Sequence, residues 1–280
     1  MYLDIHSHIL YGIDDGAKDL NSSLALLNEL KNQNVTDVIL TPHFYPLIDT
    51  LDDFLIKREE HYNNLIEEMK QSSLPNIYLG CEILYYSGIS NASLLQKFTL
   101  ANSKYILLEP DFGLLNKHFE YELNKLKELG FKPIIAHIER YHKASGYKSF
   151  LKFAKENDVP LQVNATSFFT KHYTRTLKKL IKEDLIFYIA SDTHSVTMRP
   201  PMIKDALTKI GELYGEEYKE KLIPAILGTG YQGPLMMELT GMGVKARRTV
   251  PQLRKYPLEK ELVSAAAYLD FLRKKYSSKA

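Results

Sequence analysis

Short apolar runs rich in Val, Ile, Leu and Tyr alternate along this chain with longer stretches whose apolar residues recur every three or four positions. The runs around MYLDIHSH, DVILTPHF, NIYLGCEILYY, YILLEPDF, KPIIAHIERY, PLQVNA and LIFYIASDTH read as seven strands. Between them lie helical patterns. In DLNSSLALLNELKNQ, Asp19 and Asn21 stand as caps before Leu24, Leu27 and Leu30 on one face. DDFLIKREEHYNNLIEEMKQSS turns Phe54, Tyr62, Leu65 and Met69 inward and leaves His61 among solvated charges. SNASLLQKF predicts a short helix, NKHFEYELNKLKELG one closed by Gly130, and two more are expected near Phe150 to Asn157 and Thr174 to Lys182. Strand-to-strand connections of helical length imply right-handed crossovers, hence an α/β fold with parallel strands.

The strand ends carry the chemistry. His6 and His8 are two apart, so on a strand both imidazoles leave by one face. Asp192 and His194 repeat the device at the last strand. Asp14 follows the first strand, His43 closes the second, Glu82 lies near the end of the third, Glu109 ends the fourth and His137 the fifth, while the sixth ends at Asn164. In a parallel barrel all such ends open on one face, where βα loops build the active site. Five imidazoles and four carboxylates exceed what one structural ion uses, so more than one ion is expected. Nitrogen and oxygen donors without thiolate favour Mn²⁺, Fe²⁺ or Zn²⁺ over Ca²⁺ or copper(I). A divalent cluster lowers the pKa of a water and clamps substrate oxygens, which predicts hydrolysis. Arg140 and Arg199, in loops at the same face, offer planar forks suited to phosphate oxygens.

Composition narrows the setting. A chain of 280 residues, 45% of them hydrophobic, fits one barrel-sized domain or two smaller ones. Its 36 basic and 34 acidic residues leave a net charge of +2, with no general pull toward nucleic acid. One cysteine rules out a disulfide framework and a Cys-based zinc cage. Without a secretory pattern or an apolar run long enough to span a bilayer, a soluble cytoplasmic protein is expected.

DIHSHILYGIDDGAKD, TPHFYP, the Glu82 strand end, LLEPDF, IIAHIERY and SDTHSVTMRPP, in this order, resemble the PHP (polymerase and histidinol phosphatase) superfamily. Within it they are similar to the bacterial metal-dependent protein-tyrosine phosphatases linked to capsule and exopolysaccharide synthesis. The resemblance covers roughly the first three-quarters of the chain. It implies a distorted seven-stranded (β/α)7 TIM-like barrel of PHP type over residues 1–222 and a trinuclear site, with Mn²⁺ ahead of Fe or Zn. His6, His8, Glu82 and Asp192 would hold one ion, Glu82, Glu109 and His137 a second, and Asp14, His43 and His194 a third. Arg140 and Arg199 would bind phosphate while a metal-bridged hydroxide displaces the tyrosyl oxygen. The implied partner is a tyrosine-phosphorylated bacterial kinase. A thiol route is disfavoured by the residues themselves, because six after Cys81 stands Ser87 rather than arginine. Two alternatives stay open, a histidinol-phosphatase-like enzyme acting on a small phosphomonoester and a non-catalytic module of the same fold. An amidohydrolase would usually place lysine where Glu109 stands.

Other residues carry weaker expectations. His118, His142 and His172 read as surface or loop residues, with His142 two beyond Arg140, and Asp4, Asp15 and Glu139 as supports of ligands or solvated groups. Residues 223–280 depart from the resemblance. Gly228, Gly230 and Gly233 spell a G-x-G-x-x-G, but Pro234 follows and no acidic residue lies some twenty positions on, so a loop is expected rather than a nucleotide site. Leu258, Leu262, Ala266, Leu269 and Leu272 predict a terminal amphipathic helix packed on the barrel or on a second copy of the chain.

Overall fold

The computed structural model describes residues 2–222 except 47, 71, 93, 94 and 112–114. The glycine motif and the terminal helix expected beyond 222 lie outside the described residues. The seven expected strand runs are all present, two of them in pieces. The first is β1 (Tyr2–Ser7); the second divides into β2 (Val35–Leu40) and β3 (His43–Phe44), and the third into β4 (Asn76–Leu79) and β5 (Glu82–Leu84). The remaining four are β6 (Tyr105–Glu109), β7 (Lys132–Ile135), β8 (Leu161–Asn164) and β9 (Ile186–Ala190).

Both divisions have local causes. Pro42 has no N–H to give a ladder, and at Gly80 a Cβ would stand 2.8 Å from Ile39 Cγ2 and from Leu100 Cδ2. The chain therefore passes from one parallel sheet, ordered β1-β2-β4, into another, ordered β3-β5-β6-β7-β8-β9. Every strand pair in both sheets is parallel. Beyond β9 the chain returns to β1. Ser7 and Thr193 form a parallel bridge, Asp192 N–H donates to His6 O at 2.8 Å, and His8 N–H donates to Thr193 O at 2.9 Å.

The helices are α1 (Leu20–Asn32), α2 (Leu51–Met69), α3 (Lys117–Glu128), α4 (Tyr147–Glu156), α5 (Thr174–Lys182), α6 (Ile203–Tyr214) and α7 (Glu216–Lys221). Asp19 caps α1 by accepting from Ser22 N–H, and Asn116 caps α3 by accepting from His118 and Phe119 N–H. Leu27 and Leu30 of α1, Phe54 and Leu65 of α2, and Phe119, Leu123 and Leu126 of α3 are buried in the core. SNASLLQKF forms 3-10 turns rather than one helix, at Ile89–Asn91 and Leu95–Phe98. His61 does not sit among solvated charges. Its Nδ1 lies 2.7 Å from the Tyr11 carbonyl and its ring stacks on Tyr11, tying α2 to the loop after β1. Arg58, one turn earlier, is buried and donates to the carbonyls of Gly80 and Lys97. It holds the break between β4 and β5 in place.

Among the described residues no helix is long and apolar enough to cross a membrane. Phe150 of α4 is fully buried with its ring centroid 5.4 Å from that of Phe119. Phe150→Ala is expected to lower stability by about 3–5 kcal/mol, through lost transfer energy plus a cavity, as read by urea unfolding.

Candidate metal centre

The carboxyl ends of β1, β6, β7 and β9 and the first residues of β3 and β5 bring His6, His8, His43, Glu82, Glu109, His137, Asp192 and His194 together. His6 and His8 project together as the two-residue period requires, with Nε2 atoms 3.1 Å apart. Glu82 Oε2 lies 3.1 Å from His6 Nε2, 3.2 Å from His8 Nε2 and 3.1 Å from His43 Nδ1. Asp192 Oδ1 stands 3.5 and 3.4 Å from the same two Nε2 atoms. On the other side of Glu82, Oε1 is 2.9 Å from His137 Nε2, and Glu109 Oε1 is 3.6 Å from that nitrogen.

Three imidazoles have one nitrogen committed as a donor. His6 Nδ1 faces Gln162 Oε1 at 3.2 Å, His8 Nδ1 faces Asp14 Oδ2 at 2.7 Å, and His194 Nδ1 faces the Asp192 carbonyl at 3.0 Å. Their Nε2 atoms are then bare lone pairs aimed at carboxylate oxygens. His43 Nδ1, Glu82 Oε2 and His194 Nε2 are buried without a hydrogen-bond partner. Buried acceptors facing one another are stabilised by a cation between them, and orienting the far imidazole nitrogen is how ligand histidines are held. The donor set fits divalent metal.

Burial opposes charge on His6 and His8, yet Glu82 and Asp192 raise the first and Asp14 raises the second, so without an ion protons would take the lone pairs that a cation would use. Burial opposes charge on Glu82 and Asp192, yet His6 beside each, helped by His43 at Glu82, holds both well below the usual carboxylate range. Burial lowers His137 to about 4 and His194 to about 3, keeping them neutral and able to donate lone pairs. Glu109 is pushed up to about 8 by burial and by Glu82. Arg140 Nη2 and Arg199 Nη2 each donate to Asp192 Oδ2 at 2.6 Å. Two guanidinium groups thus share one carboxylate oxygen at the edge of the cluster, and both remain about one-third exposed.

A family model described as capsular polysaccharide synthesis, CpsB/CapC, matches residues 2–225. The chain belongs to the CpsB/CapC family. It is 30% identical to the tyrosine-protein phosphatase CpsB of Streptococcus agalactiae, over 79% of this chain and 94% of that protein. It is 28% identical to the tyrosine-protein phosphatase YwqE of Bacillus subtilis, over 77% and 86%. In three dimensions it matches a crystal structure from work on YwqE and on CpsB of Streptococcus pneumoniae, described as metal-dependent tyrosine phosphatases. The TM-score is 0.70 at 27% identity, covering 78% of this chain and 89% of that one.

Within this CpsB/CapC-family chain, the two adjacent aspartates have different surroundings. The Asp14 carboxylate is taken up by His8 Nδ1, by His43 N–H at 2.9 Å and by Gly16 N–H at 2.9 Å. Asp15 instead places Oδ1 3.2 Å from His194 Nε2 and 3.9 Å from His43 Nε2, and groups with His8, His43 and His194 as a possible ion site. The turn between them is tight, since a Cβ at Gly16 would lie 2.1 Å from the His8 carbonyl. A His-loop-Asp-Asp-Gly sequence contains both aspartates, and only the turn decides which faces the imidazoles.

Two supports, Gln162 and Asn164, went unread in the sequence, while Asp4 and Glu139 were among those expected. Gln162 and Asn164 are buried side by side on β8. Gln162 Oε1 accepts from His137 N–H at 2.8 Å as well as facing His6, its Nε2 donates to Asn164 Oδ1, and Asn164 Nδ2 donates to Asp192 Oδ2 at 2.6 Å. Their signal is the same two-residue spacing that marks His6 and His8. Glu139 is buried and accepts from Asn164 N–H and Ser167 Oγ, joining the loops after β7 and β8. Asp4 accepts from Ser191 N–H and Oγ and holds β1 against the end of β9. Gln162→Leu is expected to cut divalent-metal affinity about 10–100-fold, because His6 and His137 lose their orienting partner. Titration of the metal-stripped protein with Mn²⁺, followed by calorimetry, measures it.

Proposed function

We propose that this chain is a metal-dependent phosphatase that hydrolyses phosphotyrosine on a protein. The observation carrying the reading is the pair of guanidinium groups on Asp192 Oδ2, placed beside a cluster of bare imidazole and carboxylate lone pairs. Membership in a family whose relatives are tyrosine-protein phosphatases supports it.

The two sheets are read here as one distorted barrel of seven strand positions, with residues 1–222 as the catalytic unit. His6, His8, Asp192 and Glu82 would hold a first ion, and Glu82, Glu109 and His137 a second. His43, His194 and Asp15, the last in place of Asp14, would hold a third. The mixed nitrogen and oxygen donors suit Mn²⁺, Fe²⁺ or Zn²⁺, with Mn²⁺ put first by the family resemblance. Ions bound there would make a water nucleophilic at neutral pH and neutralise charge on phosphoryl oxygens. The chain's own groups do the rest. Asp192 divides its two oxygens between imidazoles and arginines, so Arg140 and Arg199 stay beside the cluster, with Arg199 Nη1 also 3.8 Å from Asp15 Oδ2. They would bind the non-bridging phosphoryl oxygens and stabilise the charge that grows there in the transition state. Asp14, Gln162 and the Asp192 carbonyl fix which imidazole nitrogen is free. A phenol leaves as its oxyanion more readily than an alcohol, so less is required of a general acid.

A protein substrate accords with the rim. Ile48, five residues beyond His43, and Val196 and Met198, between His194 and Arg199, are exposed apolar side chains next to the site. Tyr45 stacks on His43 and offers a face for an aromatic ring. The protein acted on is then a tyrosine-phosphorylated kinase of capsule or exopolysaccharide synthesis, met in the cytoplasm. Cys81 has no part in the chemistry. It is fully buried, and burial pushes its thiol well above the ordinary value.

Phosphate release from phosphotyrosine peptide, phosphoserine peptide and histidinol phosphate, with and without Mn²⁺, tests the proposal. Metal-dependent turnover of the phosphotyrosine peptide is expected, reduced at least about 100-fold in His6→Ala and in Arg199→Ala. Turnover of histidinol phosphate alone would replace this reading with a small-molecule phosphatase, and turnover of nothing would leave a binding module. The aspartates separate cleanly in a second measurement. Asp15→Asn should lower the number of ions retained per chain, by mass spectrometry of the metal content, whereas Asp14→Asn should keep that number at saturating Mn²⁺ and weaken affinity about 10–100-fold.

A further inference from the structure

A second concentration of positive charge lies beside the metal centre and takes no part in it. The loop after β7 and the loop after β8 enclose a cavity of about 680 Å³, lined by Lys143, Lys171, Arg175, Lys178, His142 and His172, with two threonines completing the wall. No carboxylate lines it. Among the described residues none of these four cations lies within 4 Å of an acidic group, although the chain carries nearly as many acids as bases. Two of the lining side chains are imidazoles. His142 and His172 stand with ring centroids 4.8 Å apart, and Tyr173 meets both, at 5.7 and 5.1 Å.

The start of α5 adds to the field. Its N-cap residue, Tyr173, makes no side-chain capping bond, and its first turn holds no acidic residue. The first residues of α5, Thr174, Arg175 and Thr176, line the cavity, so the positive helix end adds to the same field. The two loops are also fixed relative to each other, because buried Glu139 in the first accepts from Asn164 N–H and Ser167 Oγ in the second.

Both loops leave the carboxyl ends of their strands, the face that carries the metal residues. His142 lies two residues past Arg140, so their backbones are separated by at most about 7 Å. The cavity therefore begins on the same loop that carries the guanidinium read above as a phosphate ligand.

We propose that the cavity between the loops after β7 and β8 is an anion subsite that takes a second acidic group of the peptide whose phosphotyrosine occupies the metal centre. The group is a phosphoryl or a carboxylate oxygen set, and both chemistries suit Lys143, Lys171 and Arg175. This rests on the phosphatase reading above and sharpens it, since it makes the enzyme selective for acidic sequence near the reacting residue. Uncompensated charge in a concave surface also concentrates anionic ligand before contact.

The test compares kcat/KM on four substrates with the full chain loaded with Mn²⁺. They are a blocked phosphotyrosine, a phosphotyrosine peptide with neutral flanks, the same peptide with glutamate two or three residues to either side, and the same peptide with a second phosphotyrosine there. The better of the two anionic peptides should exceed the neutral one about tenfold, the scale of one hydrogen-bonded charge pair. In a Lys171→Gln, Arg175→Gln double variant that ratio should fall below about threefold, while Lys31→Gln on α1 should keep it. Glutamate and phosphotyrosine arms tell a general anion subsite from one that requires phosphate. A ratio near one in the unaltered chain, or a ratio unchanged in the double variant, overturns the subsite while the phosphatase reading stands. If no phosphotyrosine compound is hydrolysed, the phosphatase reading fails instead. Calorimetric titration of the unphosphorylated glutamate peptide then decides the subsite alone: about tenfold weaker binding by the double variant supports it, and equal binding overturns it.

Discussion

Bare lone pairs aimed at one point repel, and the whole face of this protein is arranged to keep them aimed there. His6 and His8 present Nε2 atoms 3.1 Å apart, with Glu82 Oε2 within 3.2 Å of both. In water such groups would turn away or take up protons. Here they are buried, and each far nitrogen is already bonded to Gln162 or Asp14. Without an ion the carboxylates raise the pKa of both imidazoles and protons supply the attraction; a cation would take their place, so the cluster is coherent as a metal site. Much of the surrounding structure serves that arrangement.

The backbone shows where the arrangement is costly. His137 and Asp192, at the ends of β7 and β9, adopt the left-handed region, with φ of 30° and 49°. Non-glycine residues there cost on the order of 1–3 kcal/mol each and persist only where their surroundings over-determine them. Both are so held. His137 N–H donates to Gln162 Oε1, and Asp192 N–H donates to His6 O while its side chain receives Arg140, Arg199 and Asn164. The turn at each strand end is what swings a side chain from the sheet into the cluster.

How legible this was depended on which interactions are local. Period-two patterning in the strands and period-3.6 patterning in the helices follow from burial, so the seven runs and α1, α3, α4 and α5 could be read directly. Strand ends marked by His43, Glu82, Glu109, His137 and Asp192 were legible because parallel topology puts all such ends on one side. What hid from the sequence was set by contacts far along the chain. Choosing between Asp14 and Asp15 needs the turn packed on the His8 carbonyl, and Gln162 looks like any polar residue in a strand until His6, 156 residues away, is seen facing it. His61 read as a solvated helix residue, and Arg58 drew no reading, because their partners, the carbonyls of Tyr11, Gly80 and Lys97, carry no signature in a side-chain pattern.

Asp192 makes the two halves of the site one device. Its Oδ1 faces His6, His8 and His194, and its Oδ2 receives both arginines. On the reading proposed above, a cation at Oδ1 would withdraw charge from the whole carboxylate, so its hold on the guanidinium groups would loosen. A phosphoryl group competing for those same donors then meets less resistance. By linkage the effect is reciprocal: a phosphoryl group that pulls the arginines off Oδ2 leaves more negative charge for the metal side. Two guanidinium groups on one oxygen would alone be an over-paired and inert surface; on the phosphatase reading they would form an anion site whose strength depends on the charge held at Oδ1.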